Sequence, residues 1–249
     1  MAHSNKSEDI NKLTKVLQDN LNKRSKSVFE TFDVISHQGR VAAALLLFVA
    51  AFLQIVSPSH LIFGSKLFMP VLEIFLGFSL IILQKILDER HVIFHRITIF
   101  LTLLVALGNA FATGLLVDKL INDKSLTATN MLWAASIVWI TNVITFSLLF
   151  WEFDRGGPTA RVINGWKNAD FLFPQMDIDY QDSKTKTIAN QNWEPHFFDY
   201  LYLGVTNATA FSPTDVLPLS WKAKLLMGIQ SVVSLGTVTL VAARAVNIL

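Results

Sequence analysis

Phe197-Phe198-Asp199-Tyr200-Leu201-Tyr202-Leu203 is followed by Thr206-Asn207-Ala208-Thr209-Ala210-Phe211-Ser212-Pro213-Thr214-Asp215-Val216-Leu217-Pro218, and then by the apolar run Leu225–Leu249. The order is an aromatic half-segment, a polar Thr-rich stretch, Asp-x-x-Pro and a long apolar helix. Phe197–Val205 is too short to cross a hydrocarbon core about 30 Å thick, which takes roughly 20 helical residues. Backbone outside a helix is tolerated at that depth only where it lines a cavity or is buried in protein. The order therefore predicts a half-helix that descends into a bundle and returns through 206–218 to a last spanning helix.

The rest of the chain supports a membrane setting. Of 249 residues, 52% are apolar and 16% are charged, and the apolar ones fall in blocks. Five spans are expected: Val41 to about Leu61, Leu67–Leu83, Ile97–Val117, Met131–Trp151 and Leu225–Ile248. Trp133, Trp151 and Trp221 stand near span ends, where an aromatic belt places them. Small residues such as Ala43, Ala44, Gly108, Ala112 and Ala135 let helix backbones approach closely. The fold class is all-α: a polytopic integral membrane protein of about five transmembrane helices plus one re-entrant, pore-type half-helix. Its parts are a basic tail (1–40), a four-helix bundle (41–151), a loop (152–196) and the half-helix with the last span (197–249).

The tail repeats Ile10, Leu13, Val16, Leu17 and Leu21 at helical spacing among Lys12, Lys15, Lys23, Arg24 and Lys26. That pattern fits a basic helix on an anionic bilayer surface, and equally a solvated helix. With Lys85, Arg90 and Arg96 after the second span, it places the N-terminus in the cytoplasm by the positive-inside rule. The expected location is the plasma (inner) membrane. The 152–196 loop is then cytoplasmic. It opens with Trp151-Glu152-Phe153-Asp154-Arg155-Gly156-Gly157-Pro158, which ends the preceding helix. Asp154 and Arg155 read as a juxtamembrane stop of solvated charges, with pairing as the alternative. The chain has no cysteine, so thiol chemistry and disulfides are excluded.

Residues 197–249 resemble the pore module of tetrameric potassium channels, in the degenerate form that unassigned bacterial membrane proteins carry. Asp215-Val216-Leu217-Pro218 matches the Asp-x-x-Pro after that family's filter, and Pro218 to Lys224 matches its Pro-x-Thr/Ser stretch ending in a basic residue. Thr209 fits the family's threonine, while Ser212, Pro213 and Thr214 occupy its Gly-Tyr-Gly positions. Proline fixes φ near −65°, so a column of stacked carbonyl rings is not expected. The resemblance implies a homo-oligomer, a tetramer as in that family, around a pathway for a monovalent cation. Thr206, Asn207, Thr209, Phe211, Ser212 and Thr214 would line it, and Asp215 would brace the loop or raise the local cation concentration. Charge counting sets this loop on the cytoplasmic side, opposite to potassium channels. That conflict reads as an inverted orientation, a span miscounted around Ser57–Lys66, or a loop that is not a filter.

Glu73 lies inside the second span, where an ionisable group is a functional hypothesis by default. Asn109 and Asn142 are its possible hydrogen-bond partners, together forming a proton or cation site. The bland reading is a carboxylate near the interface that pairs with Lys66. His91 and His95, spaced i and i+4, share a helical face beside Asp88 and Glu89, but two ligands make weak metal evidence. Arg244 falls in the last turns of the fifth span and is read as reaching a headgroup. No phosphate-cradling loop or nucleophile–base pair is present, so no enzyme, cofactor or metal is expected, and no nucleic-acid partner. The leading function is passive cation permeation by an ion-channel-like oligomer. The alternatives are a proton-coupled transporter centred on Glu73, and a non-transporting scaffold or sensor.

Overall fold

Every residue from Thr141 to Glu152 is buried, although these twelve successive positions cover all sides of a helix. A helix buried all round is the centre of its bundle. The computed structural model describes residues 38–56, 67–86, 92–122, 127–158, 160–161, 168–176, 193–210 and 215–248. Residues 39–249 form one compact unit, and six long α-helices stand among the described residues. These are α1 (Gln38–Val56), α2 (Phe68–Ile86), α3 (Val92–Asn122), α4 (Ala128–Phe153), α5 (Phe197–Ala210) and α6 (Trp221–Ile248). A two-residue strand β1 (Phe171–Leu172) pairs antiparallel with β2 (Leu217–Pro218), Phe171 opposite Pro218.

Local chemistry sets the helix ends. Pro70 falls in the first turn of α2, where a missing N–H leaves no gap in the ladder. Thr127 caps α4 by accepting the Asn130 N–H. Asp199 reaches back to the His196 N–H at 2.7 Å, a capping-box arrangement at the start of α5. Ser220 accepts the Ala223 N–H at 3.2 Å at the start of α6. Beyond α4, Arg155, Gly156 and Gly157 all take positive φ (55°, 83° and 94°), which turns the chain sharply back.

α1 to α4 alternate in direction. Gln54 meets Glu73, and Phe48 meets Gly77 and Phe78, so α1 and α2 are antiparallel. Gly108 on α3 lies against Met69 on α2. Asn109 bonds Thr145, and His95 bonds Glu152, so α3 and α4 are antiparallel too. Residues Ser57–Lys66, where a miscounted span was the alternative, lie outside those described. One end of the bundle therefore gathers the start of α1, the end of α2, the start of α3 and the end of α4. Arg40, His95 and Glu152 meet there, and it is called the charged end below.

Among the described residues, three helices are long and apolar enough to cross a membrane: Gln38–Val56, His95–Leu115 and Leu132–Gly156. The apolar part of α2, Phe68–Ile82, is shorter, and α6, at 28 residues, carries Gln230, Ser231, Ser234 and Thr237 along its length. The outer surface is apolar, with Phe52, Phe75, Phe100, Leu107, Phe111 and Val232 all exposed.

Gly204 on α5 sits against Ser147 on α4, and a Cβ there would also lie 3.3 Å from the Val143 carbonyl oxygen. Gly204→Val is expected to lose about 1–3 kcal/mol through overpacking, read as a lower thermal unfolding temperature in detergent. Ser147→Gly in the same chain should recover part of that loss.

Candidate functional site

α5 begins at the charged end and runs beside α4 in the opposite direction. Phe197 stacks edge-on to Trp151, with ring centres 5.5 Å apart, and Tyr200 reaches Asp154. Two turns deeper, Asn207 donates to the Met227 carbonyl (3.0 Å) and to Gln230 Oε1 (2.7 Å) on α6. Ser231 donates to Asn207 Oδ1 at 3.3 Å, and Gln230 donates to the Gly204 carbonyl at 2.9 Å. Gln230 is nine residues into α6, about 14 Å along the helix. The chain then regains the charged end, because Leu217 pairs with Leu172 and the Leu219 N–H donates to the Asp170 carbonyl at 2.8 Å. α5 is a wedge between α4 and α6 that enters and leaves by one end.

This placement corrects one expectation. The half-helix was expected to end at Val205, with Thr206, Asn207 and Thr209 in a loop; helix continues to Ala210. Side-chain bonding outweighs the weak helix propensity of Thr and Asn. The Thr206 hydroxyl donates to the Tyr202 carbonyl at 3.0 Å, and the Thr209 hydroxyl to the Val205 carbonyl. Asn207 is fully engaged by α6. Thr209 is exposed and Thr206 half-buried, on the side of α5 that also presents Phe198 and Tyr202. Phe211, Ser212 and Thr214 lie outside the described residues, and Asp215 is exposed at the point where the chain re-emerges.

The second constellation was not legible as such. Asp154 and Arg155 are buried, which overturns their reading as solvated charges. Asp154 Oδ2 accepts from the Tyr200 hydroxyl (2.5 Å) and Arg155 Nε (3.2 Å). Its Oδ1 accepts the N–H groups of Asp170 (3.0 Å) and Phe171 (3.4 Å). One carboxylate thus ties the end of α4 to β1 and to α5. Asp170 accepts the Arg155 N–H at 2.8 Å, holding that residue's left-handed backbone. Arg161 donates to the Trp151 carbonyl at 2.5 Å and lies over the rings of Trp151 and Tyr200. A guanidinium there complements the negative end of the α4 dipole. The signal that could have found this knot is Glu152 and Asp154 followed, after Arg155, by two glycines, which let the chain turn back over its own carboxylates.

At the edge of the knot, Arg155 Nη2 donates to Glu194 at 3.1 Å. Burial raises the Glu194 carboxyl above its ordinary range, against the opposing pull of Arg155 and Arg161. Arg40 completes the charged end, 4.0 Å from Glu152 and over the Trp151 ring. His95 spends Nδ1 on Glu152 at 3.0 Å, while His91 and the Arg244 side chain lie outside the described residues.

Glu73, Asn109 and Asn142 each bond a different partner. Asn109 donates to Thr145 at 3.0 Å, Asn142 donates to Ser234 at 2.9 Å, and Glu73 accepts from Gln54 at 2.7 Å. Each joins a different pair of helices. No protein-family model, curated protein or solved structure matches the chain.

Asp154→Ala leaves Arg155, Tyr200 and two backbone N–H groups without their shared acceptor. It is expected to destabilise by about 3–5 kcal/mol, against about 1–3 kcal/mol for Tyr200→Phe, both scored by thermal unfolding in detergent. A carboxyl raised on folding favours the fold in its protonated form, so its contribution falls as pH rises from the ordinary carboxylate range through the raised value. Glu194→Gln should flatten stability against pH across that window; an unchanged slope would remove Glu194 as its source.

Proposed function

We propose that this is a polytopic integral membrane protein with spans α1–α4 and α6 and a re-entrant half-helix α5, which assembles as a homo-oligomer, in fours, around a passive pathway for monovalent cations. The course of α5 carries the proposal: it enters the bundle at the charged end, reaches about halfway, and the chain is back at that end by Leu217. Its C-terminal carbonyls point into the bundle, where roughly half a negative charge favours a cation. An apolar outer surface of this extent is unsuited to water and suited to lipid.

Thr206, Thr209, Phe211, Ser212 and Thr214 line the constriction in this reading, and symmetry partners enclose it. Asn207 serves to hold α5 on α6, since its amide is fully engaged. Asp215, where the chain leaves the bundle, raises cation concentration at the mouth. The charged end faces the cytoplasm of a bacterial inner membrane, with the N-terminus, so the mouth opens inward.

Purified protein in planar bilayers is expected to give single-channel steps. Asp215→Asn should lower the conductance at low ionic strength by up to about tenfold, with the difference fading in high salt. Thr209→Ala should change cation preference. Absent steps, or steps indifferent to both substitutions, would sink the pore reading.

The membrane reading has a separate check, because the chain has no native cysteine. Leu219→Cys at the charged end and Thr127→Cys at the other are both exposed positions. Impermeant thiol reagents should reach Leu219→Cys from the cytoplasm and Thr127→Cys from outside. Labelling of both from one side would refute the span assignment.

A further inference from the structure

We propose that Glu73, Gln54 and Thr141 form a proton-binding site inside the helix bundle, separate from the α5 wedge. Glu73 is completely buried on α2. Gln54 Nε2, on α1, donates to Glu73 Oε1 at 2.7 Å and to Thr141 Oγ1, on α4, at 3.3 Å. Thr141 commits its own hydroxyl hydrogen to the Ile137 carbonyl at 2.9 Å. Glu73 Oε2 is buried with no hydrogen-bond partner. One oxygen therefore has a donor, and the other is an open acceptor in an apolar bundle.

Among the described residues, the groups that would make this a structural ion pair are elsewhere; Lys66 lies outside those described. On α1, Arg40 is at the charged end beside Glu152, fourteen residues and about 21 Å along the helix from Gln54. On α3, His95 is bonded to Glu152, Arg96 is exposed beside it, and Asp118 is exposed in the last turns. On α4, Glu152 and Asp154 are both held at the charged end. Among the described residues no ion pair involves Glu73. Asn109 and Asn142, the neutral candidates, are bonded to Thr145 and Ser234.

A buried carboxyl with no counter-ion among the described residues is a functional site by default, and the ligand its geometry admits is a proton. The step is an association: an O–H bond forms on Oε2, one solvent proton is consumed, and the charge of the carboxylate is cancelled. Release reverses it, with the Gln54 amide stabilising the anion that remains. Thr141 adjoins Asn142, whose bond to Ser234 runs to α6.

Infrared titration of the full-length protein in lipid, with carboxyl-labelled glutamate, follows the carbonyl stretch of neutral carboxyl groups. The expected result is a titrating band lost in Glu73→Gln and displaced in Glu73→Asp; the second variant assigns the band if the first fails to fold. Gln54→Leu removes a donor to the anion and should tighten proton binding about tenfold, shifting the midpoint of that band. A Glu73 band that does not titrate, or whose midpoint ignores Gln54→Leu, overturns the proposal. The readout does not involve conductance, so its failure and that of the pore reading are distinguishable.

Discussion

The carboxylate of Asp154 holds the architecture at the point where four segments meet. It is buried, and it accepts from Tyr200, Arg155 and the backbone of Asp170 and Phe171. Removing a charge from water costs several kcal/mol, and attraction repays this only when lone pairs are satisfied. Here four donors satisfy them. The consequence is positional: α5 begins against α4, and β1 is held where β2 returns. That anchor sets where α5 starts, and the bonds of Asn207 and Gly204 to α6 hold its inner half. Aromatic rings seal the knot, with Phe150, Phe171, Phe173 and Tyr200 in edge-on or tilted contacts between 5.2 and 6.3 Å. Such pairs contribute about 0.5–1.5 kcal/mol each, and they exclude the water that would screen the charges.

Below the knot the bundle relies on a different economy. Close packing and interhelical hydrogen bonds join these apolar helices. Gln54 with Glu73 and Thr141, Asn109 with Thr145, Asn142 with Ser234, and Asn207 with Gln230 each join two or three helices. α4 takes part in the first three and is buried on every side from Thr141 to Glu152. Gly77, Gly108 and Gly204 bring backbones within reach of these bonds, each lying where a side chain would collide with a neighbouring helix. Asn207 changes meaning in this frame: a residue of pore-lining type is the bolt between α5 and α6. The polar groups left to face outward from α5 are Thr206 and Thr209, whose hydroxyls are tied to their own helix.

Much of this was legible without coordinates. Apolar blocks marked the helices to within a few residues, because length and hydropathy are local properties. The short aromatic segment before the Thr-rich stretch announced a half-helix for the same reason. Its end at Val205 was misplaced because helix propensity is local, whereas Asn207 is held by residues on α6. Asp154 and Arg155 looked like an ordinary charged stop because burial is not written in the residues themselves. It follows from Phe171 and Tyr200 folding over them, contacts sixteen or more positions away in the chain.

By itself the sequence determined an all-helical chain with membrane-length apolar segments, a half-length segment before the last helix, and basic residues concentrated toward one end. These follow from periodicity and composition, which depend on neighbours along the chain. Only the tertiary structure decided that α1 to α4 alternate, that α5 enters and leaves by the charged end, and that Asn207 faces α6. It also separated Glu73 from Asn109 and Asn142, since each finds a nearer partner on another helix. Those outcomes rest on which distant donor meets which acceptor inside the bundle, where a buried polar group left unpaired is costly.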